Sequence, residues 1–351
     1  MKVTIKDVAK EAGVSTSTVS RVLSDSSKIS FDTKEKVNKA IKKLKYKPNI
    51  IARSLVNNKT KTLGIVFNNE AGDSFSNPFF VQAMKGISIY AQEKGYYILY
   101  VFSKNEEDKL KNIKDFSSNG MVDGIILLKA EKNDKAINYL LEKEFPFVVI
   151  GRPEESSLVL WVDNDNFSAT YNITNKLINK GYKSIAFISA NKEWNVSKDR
   201  LSGYKEALKN NGIKINTDII LHRKAFNEVE GFKSIEKIFK KRSIEAILAT
   251  DDLLAFGANE FLKKNNIKNI AIVGFNNTPL AKYQNPSISS IDINAIELGY
   301  GAAKLLICKL ENKILNCNNY IVETKFVERD SFRKANDCTI IKKEDINRII
   351  K

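Results

Sequence analysis

From Thr62 onward the sequence repeatedly changes its period. "TLGIVFNN" is a short apolar run, "FFVQAMKGISIYAQEKGY" has helical spacing, and "YILYVF" is apolar again. "LKNIKDFSSNGMVDGIILL", then "INYLLEKEF" with "PFVVIGR", repeat the pair. A second series runs from "ATYNITNKLINKGYKSIAFISA" to "AFGANEFLKKNNIKNIAIVGFNN". Short apolar runs alternating with amphipathic helices are strands buried on both faces, which only a parallel sheet covered by helices on each side can supply. The spacing predicts two doubly wound α/β sets dividing near residue 160.

The residues before Thr62 follow a different rule. "VTIKDVAKEAG" places Val3, Ile5, Val8, Ala9 and Ala12 on one helical face and stops at Gly13. "VSTSTVSRVL" starts from Ser15 as an N-cap and directs Val19, Val22 and Leu23 inward. "SFDTKEKVNKAIKKLKY" carries Val37, Ala40, Ile41 and Leu44 behind a Ser30 or Asp32 cap. Two short helices joined by "AGVS" have helix-turn-helix spacing. In such a unit the second helix presents its N-terminal residues to base edges in a major groove. Thr16 and Ser17 would then be short polar readers, Arg21 a bidentate donor to guanine, and Ser20 and Thr4 phosphate contacts.

Charge points the same way. Residues 1–60 hold 14 Lys/Arg against 5 Asp/Glu, a net +9 of the whole chain's +16. More than half the excess sits in about a sixth of the chain, which favours a polyanionic partner, nucleic acid before membrane. The three cysteines, Cys308, Cys317 and Cys338, show no CxxC pair, and His222 is the single histidine. That argues against a disulfide framework and a Cys/His zinc site. No metal or cofactor is expected. "MKVTIKDVAK" lacks the apolar region of a signal peptide, and no long uninterrupted apolar run is present, so a cytoplasmic location is expected. The absence of a G-x-S-x-G elbow, a P-loop or a dinucleotide fingerprint argues against an enzyme.

Between head and core lies "KYKPNIIARSLVNNKT". "NIIARSL" has helical spacing for barely two turns, too few to fold alone in water. Together, "VTIKDVAKEAGVSTSTVSRVLS", "KYKPNIIARSL" and the two α/β halves resemble the lactose-repressor family of bacterial transcription regulators over about residues 2–332. "GRP" (Gly151–Pro153) and "VDNDN" (Val162–Asn166) look like its maltose-operon members. The resemblance implies a helix-turn-helix domain (1–46), a hinge helix and linker (47–60), an effector-binding and dimerisation core like periplasmic binding proteins (61–332), and a C-terminal tail (333–351). Apolar residues at Ile340, Ile341, Ile346, Ile349 and Ile350 would make that tail a frayed or docked helix.

It further implies that Leu55 wedges into the central step of a pseudopalindromic operator, with Asn49, Ala52 and Arg53 along the same helix near the minor groove or phosphates. In the core, Arg200 matches the family's ligand-clamping arginine, Phe226 an aromatic facing the ligand, and Asp252 an acidic hydroxyl acceptor. Asn77, Phe79 and Arg152 follow strands whose C-terminal ends should line the cleft. Asn277, Asp292 and Asn276 are weaker candidates there, and Trp161 and Trp194 are left unassigned. Arg152 departs from the polar or acidic group that family members often carry there. With Lys129 it would also suit a sugar phosphate. The expected protein is a homodimeric repressor of carbohydrate-use genes answering to a maltodextrin. The alternatives are a catabolite regulator co-activated by a phosphocarrier protein, and a sugar-binding protein without regulatory function.

Overall fold

Three helices form where the head sequence supplies caps: α1 (Ile5–Ala12), α2 (Thr16–Leu23) and α3 (Phe31–Lys43). Asp7 accepts hydrogen bonds from the Thr4 backbone and hydroxyl, both 2.8 Å. Gly13 at φ 67° closes α1, and its left-handed backbone disfavours any side chain. Ser15 Oγ accepts from Thr18 N at 3.1 Å, and Ser30 caps α3. Val8, Ala9, Val19, Val22, Val37 and Ala40 form a core of their own. The apolar periodicity of the sequence accounts for every one of these contacts.

The computed structural model describes residues 3–23, 26–46, 59–68, 76–154 and 156–332. It divides into two units, Met1–Thr60 and Lys61–Lys351. Asn49, Ala52, Arg53 and Leu55, and the expected C-terminal helix, lie outside the described residues.

The second unit has two lobes, each built on a six-stranded sheet. In the first, β1 (Thr62–Asn68), α4 (Pro78–Glu93), β2 (Tyr97–Ser103), α5 (Glu106–Ser118), β3 (Gly124–Leu127), α6 (Lys135–Glu142), β4 (Phe147–Ile150) and β5 (Leu160–Asn164) alternate along the chain. The second contains α7 (Asn166–Asn179), β6 (Ile185–Ser189), α8 (Asn195–Asn210), β7 (Ile220–His222), α9 (Glu228–Phe239), β8 (Ala246–Ala249), α10 (Asp252–Lys264), β9 (Ala271–Phe275) and β10 (Ser289–Asp292). The chain then returns to the first lobe with α11 (Ala295–Leu310) and β11 (Asn319–Val322), and ends in the second with β12 (Lys325–Val327). The strand orders are β11-β5-β4-β3-β1-β2 and β12-β10-β9-β8-β6-β7. All neighbours are parallel except β12 against β10. Every residue of β3, β4, β6, β8 and β9 is buried, as strands covered by helices on both faces must be.

The single division expected near residue 160 is corrected to three crossings, after Asn164, Ile293 and Val322. Local periodicity shows that α11 and β11 are a helix and a strand, but not which sheet they join. Asn164 ties the crossings together: its Nδ2 donates to the carbonyls of Ile293 at 3.0 Å and Val322 at 2.9 Å.

Candidate functional site

In the head, Thr16, Ser17 and Arg21 are exposed on α2 and Ser20 is half-buried, because Val19 and Val22 take the inward positions. The Ser17 and Ser15 hydroxyls lie 2.7 Å apart. The Thr4 hydroxyl already donates to Asp7, so it would have to turn away from that carboxylate to hold a phosphate by donation.

A cavity of about 1010 Å³ opens between the lobes of the core, and its walls come from segments that follow the C-terminal ends of strands of both sheets. Five of the expected effector residues line it: Asn77, Phe79, Arg152, Arg200 and Phe226. Arg200 is 5% exposed. Its Nε donates to Asn166 Oδ1 at 2.8 Å, its Nη1 to the Thr250 carbonyl at 2.6 Å, and its guanidinium lies 4.2 Å from the Phe275 ring centroid. Those bonds use two of five donors and hold the planar fork at the cavity wall. Burial lowers the Arg200 pKa to about 10, opposed by the nearby charges of Asp163, Asp251 and Asp199, so it remains a cation at neutral pH.

Asp252 is a correction. It is fully buried and does not line the cavity; Thr278 N (2.6 Å), Thr278 Oγ1 (3.0 Å) and Ser290 Oγ (2.6 Å) all donate to it. Its neighbour Asp251 caps α10 in extended backbone and takes the place at the cavity. Asp251 Oδ1 accepts from Leu253 N at 2.7 Å, while Oδ2 accepts from Asn77 Nδ2 at 3.1 Å and Asn276 Nδ2 at 2.7 Å. The Asn77 bond crosses from one lobe to the other.

Asn277 and Asp292 are corrected too. They bond each other at 2.9 Å, and Asn277 Oδ1 accepts from Arg329 at 2.6 Å. Both hold the β9 and β10 ends together and neither lines the cavity. Asn276, the weaker candidate, does line it.

At the mouth, Arg152 Nη2 donates to both carboxylate oxygens of Asp199 at 2.8 Å, from the first lobe to the second. Asn195 Nδ2 adds a bond to the Arg152 carbonyl at 2.9 Å. Lys129 pairs with Glu131 rather than standing free for an anion.

Asp163, Asn164 and Asn166 of "VDNDN" belong to this site although their roles were not read from the sequence. Asp163 accepts from Arg152 N at 2.9 Å and from Asn166 Nδ2 at 2.8 Å, and Asn166 in turn orients Arg200. The motif was visible; what it holds was not.

Burial raises the Asp251 pKa to about 6, opposed by its hydrogen bonds and by Arg200. Above that value the carboxylate accepts from both asparagines. Below it a bound proton takes up acceptor capacity, and one amide must let go. Ligand affinity is therefore expected to hold steady from about pH 7 to 8 and to weaken below about 6, by up to tenfold per pH unit. Titration calorimetry across that range is the check, and a flat profile would detach Asp251 from binding.

Comparison with known proteins decides what this arrangement is. Residues 4–49 match "Bacterial regulatory proteins, lacI family", and residues 60–329 match "Periplasmic binding proteins and sugar binding domain of LacI family". The chain belongs to the lacI family. It is 37% identical over 336 residues to the HTH-type transcriptional regulator MalR of Streptococcus pneumoniae serotype 4 (strain ATCC BAA-334 / TIGR4), covering 94% of this chain and 100% of that one. Among solved structures, a LacI transcriptional regulator from Bacillus cereus subsp. cytotoxis NVH 391-98 is 35% identical with a TM-score of 0.75, covering 78% of this chain and 98% of that chain. A "probable maltose operon transcriptional repressor malR from Staphylococcus areus" is 26% identical with a TM-score of 0.70, over 78% and 98% of the two chains. The protein is thus a lacI-family DNA-binding transcription regulator with a sugar-responsive core, and not an enzyme.

Proposed function

We propose that this lacI-family protein is a homodimeric repressor of carbohydrate-use genes, acting in the cytoplasm and released from a pseudopalindromic operator by a maltodextrin-type sugar. The observation that carries the sugar reading is the inner wall of the cavity. Arg200, Asp251, Asn77 and Asn276 converge there as amide, carboxylate and guanidinium groups, the set that hydroxyls bind in pairs. Likeness to the maltose-operon repressor supports the choice of sugar. For the dimer, β2 is an edge strand carrying Tyr97, Tyr100 and Phe102, which are 58%, 50% and 41% exposed. An aromatic edge of that kind suits a second copy of the chain. Among the described residues no helix is long and apolar enough to cross a membrane, which accords with a place beside the genome.

Two hinge segments around Leu55, each too short to fold alone, would order against one another on bent DNA. A sugar that binds the DNA-incompetent arrangement better would melt them, with leverage equal to that difference in affinity.

The test is operator selection followed by binding at several salt concentrations, with and without maltotriose. Specific binding should fall steeply with salt, keep a large preference over random duplex, and weaken with sugar. Absence of any preferred palindrome would overturn the reading. Operator binding that tightens only when a phosphocarrier protein is added would favour the catabolite alternative.

Arg21→Ala is expected to cost about 1–3 kcal/mol on the selected operator and to relax base preference at one position. Equal losses on specific and random DNA would make Arg21 a phosphate contact. Leu55→Ala should weaken operator binding by about 1–3 kcal/mol while sugar affinity stays unchanged, since its role is the wedge alone. Fluorescence anisotropy on operator and calorimetry with sugar separate the two.

A further inference from the structure

The cleft offers apolar ring faces in two places. One is the first turn of α4, where Phe79 and Phe80 pack edge to face with centroids 5.1 Å apart, just after Asn77. The other belongs to the second lobe, where Trp194 and Phe226 pack with centroids 5.4 Å apart and planes inclined by 52°. Four rings in one polar cavity exceed what fixing a single small ligand requires.

Trp194 is the telling one. It immediately precedes α8, is only half-buried, and its backbone pairs with Glu131 of the opposite lobe in an isolated antiparallel bridge. Lys129, also from that lobe, places its ammonium 5.1 Å above the indole ring. The indole is therefore held where the lobes meet, with a face turned across the cleft instead of into a core. Trp161 behaves in the opposite way: it is 7% exposed, donates to the Ser156 carbonyl at 3.1 Å, and does not line the cavity.

A pyranose ring has C–H bonds on its faces and hydroxyls at its edge. Its face lies on an aromatic ring while charged neighbours take the edge. The Trp194–Phe226 pair supplies the platform, and Glu131 and Arg152 stand among the polar groups around it. The inner group of Arg200, Asp251 and Asn276 forms a separate polar station in the same space. At about 1010 Å³ the cavity lies at the upper end of the roughly 300–1,000 Å³ usual for small-molecule sites.

We propose that Trp194 is a specificity-determining residue that stacks on a second sugar ring, so that the effector is an oligosaccharide of at least two rings and not a monosaccharide. This rests on the sugar reading above and adds chain length to it.

Only two tryptophans are present, so Trp161→Phe leaves Trp194 as the sole indole reporter. Full-length Trp161→Phe is titrated with glucose, maltose, maltotriose and cellobiose, following indole emission and thermal shift. At least one of the longer sugars should change the emission and raise the melting temperature at concentrations where glucose does neither. Trp194→Ala should then lower affinity for that sugar by about tenfold or more while leaving the weak response to glucose unchanged. Trp194→Phe, which keeps a smaller ring, should recover part of the loss and guards against a folding defect in the alanine variant.

The proposal is overturned if a sugar stabilises the protein without altering Trp194 emission. It is overturned equally if Trp194→Ala weakens glucose and the longer sugar by the same factor. No thermal shift with any saccharide would instead bring down the sugar reading itself, and this proposal with it.

Discussion

Arg200→Ala is expected to abolish the effector response and to destabilise the core by about 3–5 kcal/mol, the range for breaking a buried charge network by removing one partner. The side chain is 5% exposed and bridges Asn166, the Thr250 carbonyl and the Phe275 ring. Its charge also favours the ionised forms of Asp163 and Asp251, both buried and both with pKa values raised by burial. Without the guanidinium those carboxylates lose their nearest compensation, and Asn166 loses the group it orients. Denaturant unfolding should show the lowered stability, and a sugar titration should show no thermal shift. Operator binding without sugar should change little, because the head keeps its own core. Arg200→Lys retains the charge but not the planar fork, so it should regain more stability than ligand affinity. A normal dose response in the alanine variant would remove Arg200 from the site.

The second large effect concerns a contact with no polar atoms from side chains. Helices α4 and α11 meet through reciprocal glycines: a Cβ built on Gly299 would fall 1.9 Å from the Ala83 carbonyl oxygen, and one on Gly86 would fall 1.9 Å from that of Ile296. Backbone oxygens cannot swing aside, so even Gly299→Ala must push the helices apart. Alanine favours an isolated helix over glycine by about 1 kcal/mol, yet the crowding should outweigh this and leave a net loss of about 2–3 kcal/mol. The same pair carries function, since α4 begins at Asn77 on the cleft and α11 at the second interlobe crossing. Weaker sugar binding should accompany the lowered midpoint in denaturant unfolding. A variant as stable as the parent would mean that the helices have room to separate.

The residues quoted from the sequence account for much of this. Capping at Ser15 and Ser30, the stop at Gly13 and the inward set of Val8, Val19, Val22 and Val37 follow from spacing within one helical turn. Alternating apolar runs likewise determine a doubly wound core, because a strand buried on both faces has few other homes. These are local properties, written in residues near one another in the chain.

The site depended on longer-range geometry. Asp251 and Asp252 are adjacent and chemically identical, and only the turn from β8 into α10 sends the first to the cavity and the second to Thr278 and Ser290. Arg152 lies 47 residues from the Asp199 it grips, and Asn77 lies 174 from Asp251. The return of α11 and β11 to the first lobe is of the same kind. Period and capping are set by neighbours a few residues away, whereas a hydrogen bond across a cleft exists only once two separately folded sheets have been brought together.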